Sequence, residues 1–126
     1  MLRKSIIVLV LGLLLAAPAS ARKYKGDDTM LVSPYVFFTG ITGISLTIHT
    51  EVDFSEVVRE SVVLTGAGTE AIEPYLLKRD NRGNLVAKFT ADDVSTIVEA
   101  PRTTLTLHGT YGDGGTFELT ASIRVW

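Results

Sequence analysis

From residue 30 onward, apolar and polar residues alternate with a period of two over most of the chain, and that alternation predicts strands. Ile44, Leu46 and Ile48 alternate with Ser45, Thr47 and His49, so one face of this segment faces a core and the other faces water. The pattern recurs in residues 61–65, in 84–89 with Leu85, Ala87 and Phe89 inward, and in 103–111 with Leu105 and Leu107 inward. It is plainest in 116–126, where Phe117, Leu119, Ala121, Ile123 and Val125 share one face and Glu118, Thr120, Ser122 and Arg124 the other. A slip of one residue there would invert the whole strand. Two segments are less regular. Met30-Leu31-Val32 and Tyr35-Val36-Phe37-Phe38 are divided by Ser33-Pro34 and read as one kinked edge strand. Residues 71–79 read as a further strand in which Pro74 argues for an edge position, with the register of Tyr75-Leu76-Leu77 left open.

Residues that tolerate positive φ separate these segments. Gly66-Ala67-Gly68, Asp80-Asn81-Arg82-Gly83-Asn84 and Gly112-Asp113-Gly114-Gly115 are turn sequences, and the last two predict hairpin loops. One short helix fits residues 91–99. Thr90 caps it, Asp92 and Asp93 complement its dipole, Val94, Ile97 and Val98 form its apolar stripe, and Pro101 stops it. About seven short strands with one connecting helix describe an all-β, immunoglobulin-like two-sheet sandwich over residues 30–126, with an open barrel as the next choice.

The first 29 residues have a different texture. Arg3 and Lys4, an apolar run over residues 6–17 and then Pro18-Ala19-Ser20-Ala21 are the pattern of a signal peptide cleaved after Ala21. The apolar run is shorter than the roughly 20 residues of a membrane-spanning helix, which argues against an uncleaved anchor and predicts no stable membrane span after cleavage. Residues 22–29, with Lys23, Lys25, Asp27 and Asp28, read as a flexible lead-in. Cleavage would remove two basic residues and take the formal charge from −2 to −4. That mild acidity, without a basic stripe, argues against nucleic acid. The chain has no cysteine, so disulfides and thiol chemistry are excluded and packing alone must hold the domain. Export to the periplasm or the cell exterior is the expected localisation.

Candidate chemistry is sparse. His49 and His108 both fall on the polar faces of their strands, neither in a paired-ligand spacing, so no zinc site is expected. No nucleophile-elbow pattern surrounds any serine. An enzyme would need a pocket that brings one of these histidines to a carboxylate and a hydroxyl. The Asp80 loop has oxygen ligands at alternate positions, as a hard cation requires, but Arg82 stands where an acidic ligand is wanted, and a tight turn with Gly83 at positive φ accounts for it. The Gly112 loop has one carboxylate and reads the same way, and Asp27-Asp28 are adjacent acids in the lead-in. Among the aromatics, Tyr35, Tyr75, Tyr111 and Trp126 carry polar handles. Tyr75, Tyr111 and Trp126 form the candidate ligand surface, with Trp126 outward by the parity of its strand.

The order Ser33-Pro34, Leu46-Thr47-Ile48-His49-Thr50, Asp80-Asn81-Arg82-Gly83-Asn84-Leu85-Val86-Ala87-Lys88-Phe89, Leu105-Thr106-Leu107 and Ile123-Arg124-Val125 resembles Ig-like modules of exported bacterial proteins over residues 30–126. The resemblance implies a non-catalytic spacer or adhesion unit whose last strand closes the sandwich. Some such modules carry an aspartate-rich loop before the strand corresponding to residues 85–89, and Arg82 departs from that loop. The expected function is therefore that of an exported, non-enzymatic structural or protein-interaction unit without cofactor, its partner an envelope or extracellular protein. The alternative is a small ligand- or carbohydrate-binding module that uses exposed aromatics.

Overall fold

The computed structural model describes residues 30–39, 43 and 45–126; the expected signal peptide, the lead-in with Asp27 and Asp28, and Ile44 lie outside the described residues. The described chain is all-β, with nine strands in two sheets and one short helix. In order these are β1 (Leu31–Ser33), β2 (Val36–Phe37), β3 (Ser45–Asp53), β4 (Val57–Thr65), β5 (Ala71–Ile72), β6 (Leu76–Arg79), β7 (Asn84–Thr90), α1 (Ala91–Ser95), β8 (Arg102–Tyr111) and β9 (Thr116–Val125). One sheet has the order β1-β3-β7-β6 and the other, which is curled, β2-β9-β8-β4-β5. All neighbours are antiparallel except β2 and β9, which run parallel.

Nine strands appear where the pattern predicts about seven, and both additions have one cause. The stretch expected as a single kinked edge strand divides at Ser33-Pro34 into β1, which pairs with β3, and β2, which pairs with β9 in the opposite sheet. The stretch 71–79 divides at Pro74 in the same way, β5 pairing with β4 and β6 with β7. A proline has no N–H for the ladder, so pairing stops there and the chain is free to change sheets. The helix is also shorter than expected. Thr90 Oγ1 accepts the Asp93 amide at 3.2 Å, as a cap should, but the helix ends at Ser95, where the Thr96 hydroxyl turns back to the Asp93 carbonyl at 2.7 Å. The β-branched run Thr96-Ile97-Val98 that follows is a weak continuation. Val94 and Ile97 are nevertheless fully buried, so the apolar stripe is retained.

The core lies between the sheets and is filled by the inward positions that alternation selects: Leu46, Ile48, Leu85, Phe89, Leu105, Leu107, Leu119 and Ile123 all have 0–1% of their surface exposed. Two register shifts interrupt the ladders. On β3 the pairing moves from His49↔Val86 to Asp53↔Asn84, and on β4 from Val58↔Thr110 to Val63↔His108. Each is plugged by a hydroxyl. Buried Thr50 donates to the Leu85 carbonyl at 2.9 Å and accepts the Val52 amide at 3.0 Å. Ser61 donates to the Val58 carbonyl at 2.6 Å and accepts the Thr110 amide at 2.8 Å. The extra residues of a bulge thus find partners for groups that the ladder leaves unpaired.

The β6–β7 connection is a tight turn. Gly83 has φ +86° with nothing within 4 Å of an added Cβ, so a side chain there meets strain and no clash. Gly83→Val is expected to lower stability by about 1–2 kcal/mol through the left-handed backbone alone, whereas exposed Arg82→Ala should change it by less than about 0.5 kcal/mol. Urea denaturation of the two variants checks this, and equal effects would contradict the turn.

Candidate functional surfaces

Of the carboxylates that sequence reasoning singles out, those of Asp80 and Asp113 are engaged inside turns. Asp80 Oδ1 accepts the Arg82 amide at 2.8 Å and the Asn84 amide at 2.9 Å, while the Asp80 carbonyl accepts the Gly83 amide at 3.0 Å. The Asn84 amide is the main cause that holds this carboxyl below the usual carboxylate range; slight desolvation opposes it, and the Arg82 amide and the Arg82 and His49 charges add to it. The turn is therefore supported by Asp80 above the unfolded-state pKa, and that support fades as pH falls through the lowered folded value. Asp113 Oδ1 likewise accepts the Gly115 amide at 2.9 Å, and Asp53 Oδ1 accepts the Ser55 amide at 3.0 Å at the start of the 3-10 turn Phe54–Glu56. Among the described residues no group of three or more His, Asp or Glu side chains is placed to hold a metal ion.

The two histidines lie on opposite outer faces, His49 on β3 and His108 on β8. His49 is exposed. His108 is brought to both a hydroxyl and a carboxylate: its Nε2 is hydrogen-bonded to Thr65 Oγ1 at 2.9 Å, and its Nδ1 lies 3.5 Å from Glu118 Oε2. The order hydroxyl, imidazole, carboxylate is the one that activates a nucleophile in hydrolases. Here it lies across three adjacent strands on the outer face of the curled sheet, with Glu118 69% exposed, where water screens the His–Glu contact. The His108–Glu118 pairing follows from counting outward from the Gly112 loop along the β8–β9 hairpin. Thr65 comes from the non-local β4–β8 pairing, which no local pattern signals.

The three residues of the candidate ligand surface do not come together. Tyr75 is 54% and Trp126 61% exposed, but Tyr111 is 5% exposed and belongs to the core, its ring centroid 5.4 Å from that of Phe117. The exposed reading of Tyr111 is thereby corrected. Its position is odd-numbered, like inward Leu105 and Leu107, and the alternation of β8 carries it inside. Tyr75 lines a groove of about 280 Å³ with Arg59, Glu60, Glu73, Pro74 and Leu76, among others. Trp126 stands at another corner, where β2 and β9 run in parallel. Its amide donates to the Phe37 carbonyl at 2.9 Å and its carbonyl accepts the Thr39 amide at 3.0 Å. Phe38, 50% exposed, is thus its cross-strand neighbour, and the Arg124 guanidinium lies 5.9 Å from the Trp126 ring. Tyr35, 72% exposed, opens the same segment. No helix among the described residues is long and apolar enough to cross a membrane. Comparison with known protein families, curated proteins and solved structures finds no match.

Proposed function

We propose that this chain is an exported, non-enzymatic, immunoglobulin-like domain that acts as a structural or protein-interaction unit in the periplasm or at the cell surface. The strand order supports the fold reading. With β1, β3, β4, β5, β6, β7, β8 and β9 taken as strands A, B, C, C′, D, E, F and G, the two sheets read A-B-E-D and G-F-C-C′, the arrangement of immunoglobulin domains. β2 is then a second piece of the first strand, transferred to the edge of G. The observation that carries the functional reading is where the polar chemistry is used. Asp53, Asp80 and Asp113 bind backbone amides of their own turns, while large apolar side chains such as Phe38, Tyr75 and Trp126 are exposed at the sheet margins, where a partner can reach them.

The first test is metal and histidine independence. Chelation should leave the thermal midpoint unchanged, and His49→Ala and His108→Ala should retain whatever partner the wild-type protein captures from the envelope fraction. A rise of more than a few degrees on adding calcium or zinc to chelated protein would indicate tight binding to the native state and overturn the reading. A second reading, a small ligand- or glycan-binding module, rests on the groove that Tyr75 lines together with Glu60 and Glu73.

A further inference from the structure

The corner formed by the ends of β2, β8 and β9 combines two features that are each unfavourable in isolation. The first is exposed hydrocarbon. Val36 pairs with Arg124 and Phe37 with Val125; Phe37 and Val125 are buried, so alternation puts Val36, Phe38, Arg124 and Trp126 together on the outer face. The second is unbalanced charge. Arg102 pairs directly with Arg124 across β8 and β9, a like-charge juxtaposition that weakens a sheet. Among the described residues neither arginine has a carboxylate within ion-pair distance; Arg102 reaches only the Ser122 hydroxyl, at 3.4 Å.

We infer that this corner is a docking surface for an anionic phospholipid bilayer, which it meets peripherally. Guanidinium groups pair with lipid phosphates, and each basic residue near an anionic surface strengthens attachment. Tryptophan is suited to the headgroup level, with an apolar body and one N–H. Phe38 and Val36 have no polar atom to offer a sugar or a peptide backbone, and hydrocarbon is the environment that rewards their burial. The chain as a whole is acidic, so its net charge opposes a random approach to such a membrane and favours the arginine corner as the point of contact. The proposal names a partner class for the surface-acting domain and rests on that reading.

Trp126 is the single tryptophan of the chain, so its fluorescence reports this corner whichever other segment touches lipid. With vesicles of phosphatidylglycerol and phosphatidylcholine, Trp126 emission should shift to the blue, lose its quenching by acrylamide and be quenched by brominated acyl chains. Pure phosphatidylcholine should produce little change. Replacing both arginines (Arg102→Gln with Arg124→Gln) should weaken the anionic-vesicle response on the order of tenfold; Phe38→Ser should weaken it with the circular dichroism of the fold retained. An unchanged Trp126 spectrum with anionic vesicles would overturn the proposal, as would equal responses to the two lipids or no loss in the arginine variant. A shift with dextran sulfate and none with vesicles would assign the surface to an anionic polysaccharide. A shift that follows protein concentration without lipid would assign it to a second copy of the chain. A null result here, with the thermal midpoint still independent of metal, removes the membrane and leaves the interaction-unit reading intact.

Discussion

Phe117→Ala is expected to destabilise the domain by about 3–5 kcal/mol, the usual cost of emptying an aromatic core site. Phe117 is 5% exposed, packs its ring against Tyr111 and lies in register with Gly109. The glycine is part of the same site. A Cβ at position 109 would come within 2.3 Å of the Phe117 ring, so the aromatic ring occupies the space that another side chain would take. Gly109→Ala alone should therefore cost about 1–3 kcal/mol by overpacking. In the Phe117→Ala background that clash is gone, and the same glycine substitution should cost markedly less. Urea denaturation of the two single variants and the double variant gives the coupling directly. Additive effects would mean that the ring does not lie over Gly109.

Thr50→Val should cost about 2–3 kcal/mol, a large effect for an exchange of one hydroxyl for one methyl. Thr50 is 4% exposed, and its oxygen serves both the Leu85 carbonyl and the Val52 amide at the β3 bulge. Valine keeps the shape and leaves two polar groups without this partner in a buried setting, each worth roughly 1–3 kcal/mol when unsatisfied. The carbonyl retains a second lone pair, which keeps the sum toward the lower part of that range. Thr50→Ser retains the hydroxyl and should recover most of the loss. If serine and valine destabilise equally in thermal unfolding, the hydroxyl is not what holds the bulge.

Much of the fold is legible in the sequence because alternation is a local signal. Phe117 to Val125 and Leu85 to Phe89 declare their inner faces within a few residues, and the Asp80 and Gly112 loops declare the hairpins that join their strands. Tyr111 also follows the rule, and an expectation based on its hydroxyl alone places it outside wrongly. What local pattern does not reveal is which sheet a strand joins. Pro34 and Pro74 signal an interruption, but that β2 passes to β9, 88 positions further on, and that β5 folds back on β4, 6 to 8 positions before it, is selected by packing. The contact of His108 with Thr65 and the meeting of Phe38 with Trp126 arise from such non-local pairings. Trp126 could be read as outward from its own strand, whereas its neighbours could not.

The parallel pairing of β2 with β9 also determines how the domain bears a load. Tension that draws β2 backward along its course and β9 forward along its own makes the two strands slide past each other. The bonds of Arg124 to Tyr35, Trp126 to Phe37 and Thr39 to Trp126 are then loaded together in shear and do not open one after another. Resistance to such a pull is governed by an unfolding rate and not by equilibrium stability. The short parallel pairing of β2 with β9 is thus the place where the sandwich resists such a pull, through bonds that must break together.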